Sequence, residues 1–240
     1  MSADLTGAFR RVTGVLGEDP NLITTLEVVD TLNEMVEGVH PILRCPSGCA
    51  RCCYQQVFIS EEEWAILLPA LHRDSTADER RRIVRRARRL LDRKRGPLRR
   101  ALRARNIEEL SQLTMNVDRR RVQRCVLLTN DNQCAGYHGR PMICRAFGRV
   151  THTIDNPMLC KIFLDRISDA GRSHRDLELP DFGPVRAAYL LGTAEDLRFT
   201  LLPVFVFLHA DADGDLRREP QPLPRDGSWP VLTREEIAEF

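Results

Sequence analysis

"CPSGCARCC", residues 45–53, places four of the chain's eight cysteines within nine positions, the last two adjacent. Pro46 and Gly48 inside the run dictate loop or tight turns rather than a regular element. Short loops of this kind keep two or three sulfurs within reach of one centre, and thiolate is a soft ligand suited to zinc, copper(I) or iron–sulfur clusters. Cys45, Cys49 and Cys52 have that spacing. Adjacent side chains point in different directions, so Cys53 either faces a second metal or serves as a redox or structural thiol.

A second group, Cys125, Cys134, Cys144 and Cys160, is wider, as expected when ligands come from separate elements folded together. Eight thiols suffice for two four-thiolate zinc sites, or for one four-iron cluster with four left over. The alternative is that cysteines pack as small apolar residues, a reading strongest for Cys160, which stands alone before a helical run. Four thiolates around zinc or an oxidised four-iron cluster leave about −2 to be balanced. Arg51 beside Cys52 and Arg145 beside Cys144 are placed to donate hydrogen bonds to the sulfurs.

The rest of the chain bounds the context. At 240 residues it buries a sizeable core without disulfide staples. The N-terminal "MSADLTGAFRRVTGVLG" lacks the apolar stretch of a secretory signal, and no window approaches the roughly 18 apolar residues of a membrane span. A cytoplasmic protein without a membrane partner is therefore expected, and in a reducing compartment many cysteines read as metal or redox chemistry.

Helical spacing dominates the apolar pattern. Leu22, Leu26, Val29, Leu32, Met35, Val36 and Val39 give one apolar helix face over 21–39. Ser60 with Glu63 forms a capping-box signature for a helix over about 61–70, with Pro69 ending or kinking it. Ile83, Val84, Ala87, Leu90 and Leu91 keep helical spacing over 78–95 while arginines fill the other faces, and 106–117 is a further helical stretch. "RCVLLTNDNQC" at 124–134 reads as a small hairpin with a polar turn that brings Cys125 and Cys134 together. For the apolar 201–210, a helix before Pro203 and extended chain after it are expected, and "DADGD" at 211–215 reads as a turn rather than a calcium loop.

The expected fold is mainly α: a single helical domain with a cysteine-rich metal-binding loop and a small hairpin, in which the two cysteine groups converge on one buried metal centre. Its parts are N-terminal helices over 1–40, a cysteine-cluster region over 41–170 with an arginine-rich helical insertion at 75–120, and a C-terminal extension over 171–240.

The stretches "CPSGCARCCYQQV" and "RCVLLTNDNQCAGYHGRPMICRAFG" resemble the CxxCxxCC zinc- or iron-chelating family, the YkgJ-like cysteine cluster proteins, over about residues 40–165. In that family a run ending in Cys-Cys is followed, after a helical insertion, by "C-x-x-L … C-x-x-Y-x-x-R-P-x-x-C-R". Here that segment reads Cys125, Leu128, Cys134, Tyr137, Arg140, Pro141, Cys144 and Arg145. The departure is three residues between Cys45 and Cys49 in place of two, as if Gly48 were inserted. A downstream cysteine, as at Cys160, is also similar to what many members carry. The resemblance implies metal chelation by the eight cysteines, with Tyr137, Arg140 and Arg145 supporting the ligands, and the metal being zinc or an iron–sulfur cluster. It assigns no catalytic residue and no reaction.

Two alternatives stand beside metal binding. A similar module occurs in flagellin lysine methylases, so the resemblance admits a cluster-dependent redox or methyl-transferring enzyme, although no glycine-rich cofactor fingerprint accompanies it. Residues 80–105 carry fourteen Arg or Lys against one acid, Asp92, while the remainder holds 22 basic and 33 acidic residues. That run could serve an interaction module stapled by zinc and binding RNA or a protein partner. The bland reading, the solvated face of an amphipathic helix, is favoured by the absence of aromatic residues from the run.

Overall fold

The structure, a computed structural model, describes residues 5–18, 20–46, 48–104, 106, 108–110, 123–153, 156–157 and 159–239. Its helices and strands in chain order are α1 (Leu5–Gly14), α2 (Leu22–Val39), β1 (Phe58–Ser60), α3 (Glu61–Asp74), α4 (Ala77–Leu90), α5 (Met142–Ala146), β2 (Thr151–Thr153) and β3 (Asn156–Pro157). They continue with α6 (Lys161–Asp169), α7 (Gly183–Gly192), β4 (Arg198–Leu201), α8 (Leu202–Leu208), β5 (Leu232–Thr233) and α9 (Arg234–Glu239). The mainly helical character expected from the sequence is what the chain has. Most of the helix expected over 106–117 lies outside the described residues. The chain divides into two compact units, one from residues 1–52 and 142–193, the other from 53–141 and 194–240.

In the first unit α2 is the organising helix. Its N-cap Asn21 accepts the Thr24 N–H at 2.9 Å, and Leu22, Leu26, Val29, Leu32 and Val36 are buried along one face. That face packs on α5 and α7. The end of α7 meets the turn before α2 so closely that a side chain at Gly192 would run into the Pro20 carbonyl.

The second unit holds a three-stranded antiparallel sheet in the order β1-β4-β5, with Ile59 opposite Thr200 and Phe199 opposite Leu232. Ser60 and Glu63 form the expected capping box at the start of α3, and Thr76 with Glu79 forms another at α4. Trp64 on α3 is fully buried, stacked on Phe205 of α8 at 5.5 Å between centroids and 4.9 Å from the His209 ring. Around this cluster α4 packs on α8.

Local expectations fail where long-range packing overrides a breaker. Helix α3 runs through Pro69 to Asp74, because Leu67, Leu68, Ala70 and Leu71 are all buried and hold the backbone helical despite the missing donor. The arginine-rich helix ends at Leu90 rather than 95, where Asp92 caps a turn by accepting the N–H groups of Lys94 and Arg95, both at 2.8 Å. Around Pro203 the order is reversed: extended chain comes first, in β4, and the proline opens α8 from its first turn, where its missing N–H costs nothing. Residues 211–215 form the expected turn, and Asp215 leaves it to make a bidentate pair with Arg80, 2.8 Å on both arms.

His209 gives the second unit a pH dependence. Its Nδ1–H donates to the Phe205 carbonyl at 2.8 Å and its Nε2 accepts the Gln221 N–H at 2.8 Å, which fixes a neutral ring. Burial lowers its pKa, with the Phe205 carbonyl offsetting only part of the shift. A histidine held neutral contributes stability above its unfolded pKa of about 6.5 that is lost as pH falls below it. The melting temperature is expected to drop on acidification from about pH 7 to 5. His209→Leu should lose about 1–3 kcal/mol at neutral pH and show a shallower pH slope, the remainder coming from His40, which burial also lowers. An unchanged slope in the variant would contradict the assignment.

Candidate metal centre

All eight cysteines are free thiols, none in a disulfide; Cys45 is exposed and the other seven are half-buried. Five of them, Cys45, Cys49, Cys52, Cys144 and Cys160, lie in the first unit, and Cys53, Cys125 and Cys134 lie in the second.

The loop 45–53 is built from two tight turns. The Cys49 N–H closes back on the Pro46 carbonyl at 3.1 Å with Gly48 at φ +71°, and a 3-10 turn follows over Arg51–Tyr54. Gly48 is thus the residue that accommodates the longer Cys45–Cys49 spacing, in a left-handed conformation that other residues adopt at a cost of about 1 kcal/mol. The turns gather Cys45, Cys49 and Cys52. The Cys45 thiol is hydrogen-bonded with that of Cys49 and feels the charge of both neighbours. Although the residue as a whole is exposed, partial desolvation of its sulfur first, then the adjacent Cys49, pushes the Cys45 pKa up to about 11, while the Arg149 guanidinium pulls it the other way. A Cys45 thiol so placed resists ionising unless a cation enters.

The same unit carries two more cysteines and two arginines on a fixed frame, of which Arg149 reaches Cys45. Cys144 sits on α5 and Cys160 N-caps α6, its carbonyl accepting from Phe163 and Leu164 at 3.0 and 3.1 Å. Arg145, buried beside Cys144, pairs with Asp30 of α2, and its carbonyl accepts the Asn33 side-chain amide at 2.9 Å. Arg149 pairs with Glu37 and lies 6.0 Å from the centre of the Phe163 ring. Arg149, Asp30, Asn33 and Glu37 were not singled out by sequence reasoning, because nothing local marks a partner more than a hundred positions away.

In the second unit the backbone joins the cysteines. The Cys125 N–H donates to the Cys53 carbonyl at 2.7 Å, and Leu128 bridges Cys134 in an antiparallel pair whose turn carries Asn132 at φ 58°. This is the expected small hairpin. Arg86 of α4 clamps it, donating to the Val126 carbonyl at 3.2 Å and to the Leu128 carbonyl. Beyond it, Gly139 passes so close to α3 that a Cβ would stand 2.8 Å from that of Ala70 and 2.9 Å from the Leu67 Cα. Tyr137 and Arg140 face each other, the guanidinium 3.8 Å above the half-exposed ring. His138 pairs with Asp74 at 2.9 Å.

Among the described residues, no group of three or more His, Cys, Asp or Glu is drawn into a metal-holding arrangement. The donor set itself fits a thiophilic metal: soft, unoxidised sulfurs, three of them gathered in one loop, with arginine charge beside them. Among the described residues no helix is long and apolar enough to cross a membrane.

Comparison with known families places residues 44–172 on the model of CxxCxxCC, described as "Putative zinc- or iron-chelating domain". No curated protein and no solved structure matches the chain.

Proposed function

The chain belongs to the CxxCxxCC zinc- or iron-chelating domain family, and from that premise we propose that it holds a thiophilic metal, zinc or an iron–sulfur cluster, through the cysteines of the 45–53 loop. The observation that carries the reading is the Cys45 thiol, hydrogen-bonded with that of Cys49 and within electrostatic reach of Cys52. Cys144 and Cys160 of the same unit complete the candidate ligand set, and Arg149 offsets part of the negative charge that thiolates bring. Cys53, Cys125 and Cys134 are the candidate ligands of the second unit.

When bound, the metal supplies the positive charge that lets neighbouring thiols ionise together. The chain's own contribution is to hold those thiols in tight turns and on helix ends, so that little conformational entropy remains to be lost on binding. Protons compete with the metal for every sulfur, and the raised Cys45 pKa strengthens that competition. Metal is therefore expected to be released progressively as pH falls from neutrality.

Single serine substitutions test the ligand set. Cys49→Ser, Cys52→Ser and Cys144→Ser are each expected to lower bound zinc or iron at least about ten-fold, measured by elemental analysis after purification without air. Full metal content in all three variants would overturn the proposal.

A further inference from the structure

The second unit carries an uncommitted surface of positive charge. Of the cations between residues 80 and 103, Arg80 and Arg86 are used internally, on Asp215 and on the Cys125 hairpin. Arg81 pairs with Asp78 at 3.0 Å, and Arg82 reaches Glu79 only at 3.9 Å. Arg85, Arg88 and Arg89 on α4, and Arg93, Lys94, Arg95, Arg100 and Arg103 beyond it, are all exposed. Among the described residues none of these eight has a carboxylate within ion-pair distance. The one acid in the run, Asp92, is occupied capping its own turn. Because Ile83, Val84, Ala87 and Leu90 bury the other face of α4, the arginines form a stripe that repeats about every 5.4 Å.

The fold also supplies what the run lacks in sequence. Trp229, from the proline-rich C-terminal segment, is half-buried against Phe207, 5.1 Å between ring centres. The Arg93 guanidinium lies 5.8 Å from the centre of its indole and donates to the Ser228 carbonyl at 3.4 Å. Nearby Asp226 is turned to its own backbone, accepting the Ser228 N–H at 2.9 Å. An aromatic platform therefore borders Arg93, in the turn that follows the arginine stripe.

We propose that the α4 arginine stripe, the turns that follow it and Trp229 form a docking surface for a single-stranded polynucleotide. Arginine forks suit phosphate oxygens, and an indole beside them stacks a base of any identity. An acidic peptide would meet the charges but has no use for the indole. A bilayer would require apolar side chains on the same face, and none of the large exposed hydrophobic residues falls between 80 and 105.

The test is fluorescence anisotropy of a labelled oligouridylate of about 12 nucleotides against the full chain, with polyglutamate as competitor. Neutralising about five phosphates predicts affinity falling about 100-fold between 50 and 200 mM salt. Arg85→Glu/Arg88→Glu/Arg89→Glu is expected to abolish binding, and the corresponding glutamine triple to weaken it at least about ten-fold, with circular dichroism and metal content as in the wild type. Trp229→Leu should weaken binding about ten-fold without changing the salt slope. No anisotropy change at low salt would overturn the proposal, as would polyglutamate competing as well as unlabelled RNA, or the glutamine triple binding like the wild type. Metal content, read on the same samples, reports on the chelating centre independently.

Discussion

Removing the metal with a strong chelator is expected to lower the melting temperature of this protein by about 10 °C, and returning zinc or iron should restore it. Binding to the folded state alone stabilises by about 4 kcal/mol when metal is present at a thousand times its dissociation constant. For a chain of this size each kcal/mol moves the midpoint by about 2–4 °C. In the proposed site the stabilisation has a local cause: metal held by Cys45, Cys49 and Cys52 would cross-link the turns of the loop. In Cys49→Ser/Cys52→Ser the chelator effect should fall by at least half, because two ligands of the loop are gone. An undiminished chelator effect in this variant would assign the metal to other residues.

Trp64→Ala is expected to be the most damaging core substitution, costing about 3–5 kcal/mol in urea unfolding. Trp64 is fully buried and its ring touches both Phe205 and His209, so alanine would open a cavity where α3 meets α8. Trp64→Phe keeps an aromatic against Phe205 and should lose distinctly less. Equal losses in the two variants would mean that the stacked contact contributes little. Since Cys45, Cys49 and Cys52 belong to the other unit, metal binding is the readout least disturbed in a folded Trp64→Phe.

Much of the local structure was legible because it is written in short-range chemistry. The apolar stripe of α2, the Ser60–Glu63 box and the turn-forming Pro46 and Gly48 each need only a few consecutive residues. What escaped was set by distant partners. Pro69 and Pro203 read locally as breakers, yet one lies inside a helix held by buried neighbours and the other opens one. The pairing of Arg145 with Asp30 joins residues 115 positions apart. Trp229 meets Arg93 only through the fold, which is why the arginine run looked devoid of aromatic company. The two compact units are likewise each assembled from two separated stretches, a division no composition boundary announces.

The candidate site follows the same rule. Cysteine spacing pointed to the thiol loop, and the structure adds the reason for its longer first interval, a left-handed glycine closing a turn. It also adds Arg149, whose position after α5 gave no sign that it would reach the Cys45 thiol.

The most direct measurement is the zinc, iron and acid-labile sulfide content of the wild-type chain purified without air, taken with its visible spectrum. The account predicts stoichiometric metal held by thiolate: iron with matching sulfide and a brown colour for a cluster, or zinc without colour. A metal-free protein that takes up neither metal, with all eight thiols open to alkylation, would contradict it.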